Sequence, residues 1–90
     1  MTDEEEFYQA LARDFVIQMR NQIVAAVDRL PDFDWDALHT LGNHLKGSGA
    51  MFGQPLLSEL GRKLEREIEA GENSLAVETL HLLADVIRSL

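Results

Sequence analysis

Between Leu41 and Gly53 the chain reads LGNHLKGSGAMFG, which gathers His44, Lys46 and four glycines into thirteen residues. These residue types fit phosphoryl chemistry. A neutral imidazole nitrogen is a good nucleophile near neutral pH and attacks a phosphoryl group without an added base. A lysine close by offsets phosphate charge, in a reaction governed by positioning and electrostatics. Glycine inside a helix costs about 1 kcal/mol relative to alanine, so Gly42 and Gly47 are expected where another protein comes close. The plainer alternative is a solvated face that tolerates them.

Four amphipathic helices are predicted to carry these residues. Thr2 and Glu5 fit a capping box, and the acidic first turn suits the positive end of a helix. Tyr8, Leu11, Phe15, Met19, Ile23, Ala26 and Leu30 then recur at three- and four-residue steps, with Pro31 ending the helix. Asp34 is the expected cap of a second helix, opened by Trp35 and striped by Leu38, Leu41, Leu45, Ser48 and Phe52. Gly53 and Pro55 mark a break and restart, since proline is tolerated in a first helical turn. Leu57, Leu60, Leu64 and Ile68 stripe the third helix, closed by Gly71. Ser74 is expected to cap the fourth, whose Ala76, Leu80, Leu83, Ile87 and Leu90 face inward. No alternating β-branched run or hairpin turn appears. Short connections between such helices predict an all-α, antiparallel four-helix bundle, a single domain over residues 1–90.

The period of the second helix predicts what it shows to solvent. At about 100° per residue, Asn43 falls almost opposite the apolar stripe. His39, Lys46, Gly47 and Ala50 share that outward half, with Gly42 as a further small residue. A partner-docking face is the reading this favours. His44 lies roughly 80° from the stripe, at the flank where neighbouring helices meet, so a bond to a neighbouring helix is its expected role. His39 and His81 read as surface or boundary residues. Lys46, Arg62, Lys63 and Arg66 fall in the second and third helices. Arg62, Lys63 and Arg66 either flank the docking face as a local positive patch or form surface pairs with Glu59, Glu65, Glu67 and Glu69.

Composition removes several function classes. Eight basic against sixteen acidic residues leave a net charge of -8. That argues against nucleic acid or an anionic membrane as partner, because phosphate backbones need a basic surface. Without cysteine there is no disulfide, thiol nucleophile or thiolate metal site. The sequence MTDEEEFYQ is acidic where a signal peptide would be basic, and no apolar run is long enough to span a bilayer, so a cytoplasmic location is expected. No phosphate-binding P-loop occurs and a bundle this small offers no deep cleft, which argues against an enzyme. His39 and His44 diverge by roughly 140° on a straight helix and cannot chelate jointly. Asp36 and His39 alone make a poor ligand set, so no metal or other cofactor is expected.

The segment HLKGSGAMFG, followed by LSELGRKLE, resembles the histidine-containing phosphotransfer (HPt) family of bacterial phosphorelays. The family motif reads H-x-L-K-G-[SA]-x-x-x-[FL]-G, followed by a helix with an L-x-x-L-x-x-x-L-E pattern. Lys46, Gly47, Ser48, Phe52 and Gly53 stand in register, and the match runs from Asn43 to Glu65. The resemblance implies a four-helix module that accepts a phosphoryl group on histidine and exchanges it with the aspartate of a receiver domain. It implies response-regulator receivers or sensor histidine kinases as partners. The receiver's own metal would supply the remaining positive charge, so the HPt side would need no cofactor.

One position departs from the motif. The histidine three residues before the lysine is Asn43 here, and His44 occupies the next position. An amide is not a nucleophile toward an acyl phosphate. Lys46, Gly47 and Phe52–Gly53 fix the register, so sliding the motif does not restore the histidine. HTLGN, from His39 to Asn43, echoes H-T-L-K-G but lacks its lysine. Three accounts fit: a degenerate module that acts by binding, phosphoryl acceptance on His44 or His39, or an engineered substitution at Asn43. A helical bundle unrelated to phosphorelays is the rival class, which explains the stripes but not Lys46–Gly47.

Overall fold

The computed structural model describes residues 2–29, 32 and 34–90. The expected Leu30 end of the first stripe and the Pro31 break lie outside the described residues. Four α-helices follow one another: α1 Asp3–Asp28, α2 Trp35–Met51, α3 Pro55–Glu69 and α4 Asn73–Arg88. No strand occurs among the described residues. The all-α four-helix bundle is the expected class.

Local chemistry sets most of the ends. The Thr2 hydroxyl accepts from the Glu5 amide at 3.2 Å, and Asp34 accepts from the Asp36 and Ala37 amides at 3.0 and 3.3 Å. Each satisfies donors that a helix start leaves without an internal partner. Gly53 and Gly71 adopt φ of 76° and 72°, the left-handed region that ends helices. At Gly53 the chain closes with Gln54 N donating to Gly49 O (2.7 Å) and Gly53 N to Ala50 O (3.2 Å). At Gly71 the same pattern joins Glu72 N to Glu67 O (2.8 Å) and Gly71 N to Ile68 O (3.0 Å). That turn feeds directly into α4, so the helix opens at Asn73 with Glu72 at its cap. Ser74 therefore sits in the first turn and is not the cap.

Phe15, Met19 and Ile23 of α1 bury against Leu38, Leu41 and Leu45 of α2, Leu57, Leu60 and Leu64 of α3, and Ala76, Leu80, Leu83, Ala84 and Ile87 of α4. Three stripe positions depart from expectation. Leu90 lies past the end of α4 and is exposed. Tyr8 and Leu11 are 46% and 41% exposed. α1 has 26 residues against 15 to 17 in the others, and Tyr8 in its second turn meets the end of α2. There the Tyr8 hydroxyl donates to the Met51 carbonyl, and its ring tilts against Phe52 with centroids 6.2 Å apart.

The most intimate contact is between α2 and α3, which run antiparallel, so that residue 39 meets 69, 43 meets 65 and 49 meets 58. Three glycines set the separation. A Cβ on Gly61 would stand 2.5 Å from Leu45 Cβ and 2.8 Å from the Gly42 carbonyl oxygen. One on Gly42 would stand 2.9 Å from the Gly61 oxygen, and one on Gly49 2.8 Å from the Ser58 amide nitrogen. Gly42 is thus buried under α3 and does not belong to the outward face, where the helical count alone had placed it. Gly47 does face open space, with nothing within 4 Å of a built Cβ.

Adding one methyl separates the two roles. Gly61→Ala should destabilise the bundle by about 1–3 kcal/mol through overpacking. Gly47→Ala should stabilise it by roughly 0.5–1 kcal/mol through helix propensity alone. Urea unfolding of the two variants checks the opposite signs.

Candidate functional site

The outward face of α2 is completed by α3. The cap at Asp34 and the turn at Gly53 fix α2 at both ends, and the glycine contact brings α3 against its flank. Asn43, Gly47 and Ala50 are exposed, and His39 and Lys46 are half-buried. Into this face comes Glu65, from the side of α3 that touches Gly42. Its side chain is only 10% exposed.

Two donors from α2 hold that carboxylate. Lys46 Nζ donates to Oε1 at 2.7 Å, and Asn43 Nδ2 donates to Oε2 at 2.8 Å. A carboxylate only accepts, so the Asn43 amide must turn its NH2 inward. Lys46, then Asn43, hold the Glu65 carboxyl below its ordinary range, against the raising effect of burial. The Ser58 hydroxyl donates to the Lys46 carbonyl at 2.7 Å, so this lysine is tied to α3 through backbone as well as side chain. One turn before Asn43, His39 Nε2 donates to Glu69 Oε1 at 2.8 Å.

His44 stands apart from this group. It is exposed on the side of α2 facing α1, where its ring meets Phe15 edge-on, with centroids 6.1 Å apart at 64°. The neighbouring-helix contact is aromatic rather than the bond expected from the sequence. His81 is an exposed residue of α4. Arg62, Lys63 and Arg66 line a groove between α3 and α4 together with Glu59, Glu67, Glu72 and Leu75. Lys63 turns to Glu67 at 2.5 Å, and the Thr79 hydroxyl of α4 also donates to that carboxylate. Glu65 and Glu67 are therefore buried members of inter-helix networks, and Glu67 also makes the expected ion pair with the half-exposed Lys63 of its own helix.

Sequence reasoning missed Glu65 and Glu69 as parts of the face. Their four-residue spacing was the available signal, since it puts both carboxylates on one side of α3. Nothing in that spacing said which neighbour they would meet.

The described residues form an antiparallel four-helix bundle that sets a lysine, an exposed glycine and a hydrogen-bonded amide on the outer face of its second helix. The Hpt domain model matches residues 10–90, and the chain belongs to the Hpt domain family. Members of this family are phosphocarrier modules of two-component phosphorelays that interact with response regulators and kinases. No curated protein and no solved structure matches the chain. Among the described residues no helix is long and apolar enough to cross a membrane.

The Glu65 network has a pH signature. A carboxyl whose folded pKa is depressed stabilises the fold fully above its unfolded value, here 4.5, and that contribution is lost as pH falls through the lower folded value. Glu65→Gln should therefore flatten the loss of stability in acid. Urea unfolding from neutral pH down to about pH 3 would show the two curves converging at the acid end.

Proposed function

We propose that this chain is a degenerate Hpt module, a single unit over residues 1–90 acting in the cytoplasm, that docks receiver domains by binding and carries no phosphate on Asn43. The observation that carries the reading is the Asn43–Glu65–Lys46 network. At the family's acceptor position stands an amide, which has no lone pair basic enough to attack an acyl phosphate. Its NH2 and the Lys46 ammonium are both already engaged by Glu65. What is left outward is a shallow surface at Asn43, Gly47 and Ala50, bordered by His39 and Lys46. Open space above Gly47 admits a partner's backbone. Arg62, Lys63 and Arg66 add positive charge on the far side of α3, which steers an acidic partner more than it grips it.

Incubation with a phosphorylated receiver or its kinase, followed by assay for acid-labile phosphate, tests this directly. Binding without label is the expected result. Label on His44 would overturn it, and failure to bind any receiver would favour a bundle with no relay partner. Gly47→Phe should weaken receiver binding about tenfold or more while leaving helix content unchanged.

A second substitution probes what the site retains. Asn43→His should place a ring N–H where the amide now donates, so that Glu65 holds the imidazole with its other nitrogen facing solvent. Phosphoryl transfer from an aspartyl phosphate to that outward nitrogen should then become measurable in the same assay.

A further inference from the structure

The edge of the α2–α3 contact holds a second constellation, which shares His39 and Glu65 with the docking surface and adds Glu69. His39 comes from α2, and Glu65 and Glu69 come from one side of α3. One ligand atom from each lies within 4.8 Å of the other two, and His39 Nε2 is 2.8 Å from Glu69 Oε1. A tetrahedral ion about 2.0–2.2 Å from each ligand holds the ligand atoms roughly 3.4 Å apart. Spacings within 4.8 Å are compatible with that value, and small side-chain rotations close the set. We propose that His39, Glu65 and Glu69 form a site for a divalent transition-metal ion of the zinc class.

The geometry around the three residues is that of a built site. Glu65 is 8% exposed and is held in place by Asn43 and Lys46, and such outer hydrogen bonds orient a ligating carboxylate. Those two donors leave lone pairs free on both of its oxygens. Gly42 and Gly61 fix the distance between the two helices that supply the ligands. The His39 and Glu69 side chains are 38% and 57% exposed, so an ion reaches them from solvent and keeps positions open for water. Glu65 and Glu69 repel each other across one turn, and a cation between them removes that cost. The ion takes the place of the hydrogen between Nε2 and Oε1, and the neutral imidazole carries its one proton on Nδ1 in the metal-bound tautomer. One imidazole with two carboxylates suits zinc, whereas magnesium and calcium require larger, all-oxygen shells.

The sequence hid this set because its ligands come from two helices. A search of one helix finds only Asp36, His39 and His44.

Zinc chloride titrated into the full chain, followed by calorimetry and by amide chemical shifts, tests the proposal. One equivalent should bind saturably, with shifts centred on residues 39, 65 and 69. His39→Ala and Glu69→Gln should each weaken binding about tenfold or more, while His44→Ala and His81→Ala leave it unchanged. Magnesium chloride should give no saturable shift at these residues. Absence of saturable zinc binding would overturn the site. So would affinity that survives both His39→Ala and Glu69→Gln, or magnesium binding as tight as zinc.

Discussion

The whole arrangement depends on how closely α2 can approach α3. Gly42, Gly49 and Gly61 bring the two backbones into direct contact, with the Gly61 position pressed against Leu45 Cβ and the Gly42 carbonyl. A single methyl at this crossing would push the helices apart. Glu65 would then no longer reach both Asn43 and Lys46, each of which it meets at under 3 Å. The glycines cost helix propensity, and the deep leucines on either side of the crossing offset that through burial.

From that contact the rest follows by geometry. α3 delivers two carboxylates to the flank of α2, and the residues of α2 sort themselves by what they find there. Lys46 and Asn43 meet Glu65, and His39 meets Glu69. Gly47, turned the other way, faces open space, and Ala50 is exposed beside it. The outer side of α3 is tied to α4 by the Lys63–Glu67–Thr79 network, so α3 is bound on both flanks by buried carboxylates. A surface held this firmly has one shape, and preorganisation of that kind lowers the ordering cost of any association.

Much of this was legible in the sequence, and the limits have a common cause. The apolar stripes, the caps at Thr2 and Asp34 and the breaks at Gly53 and Gly71 are local signals, and each sets an element as read. So is the outward placing of Asn43, Lys46 and Gly47, which needs only the helical period. Apart from the cap expected at Ser74, which the turn at Gly71 displaces, what failed depends on the neighbouring helix. Gly42 counts as outward on an isolated helix, yet α3 covers it. Tyr8 and Leu11 belong to the stripe, yet α1 outruns its neighbours there. Glu65 and Glu67 resemble solvated charges in a run of charges, and only the packing shows that they are buried.

Glu65 also acts as an internal counterion. Lys46 already has an anion in its grip, so a phosphate or carboxylate brought to this face would meet a positive charge that Glu65 partly offsets, with the other ammonium N–H groups left to donate. Any electrostatic gain from such an anion would be reduced by the carboxylate beside it. A surface whose charge is offset from within would select a partner by shape more than by charge, at the expense of raw attraction.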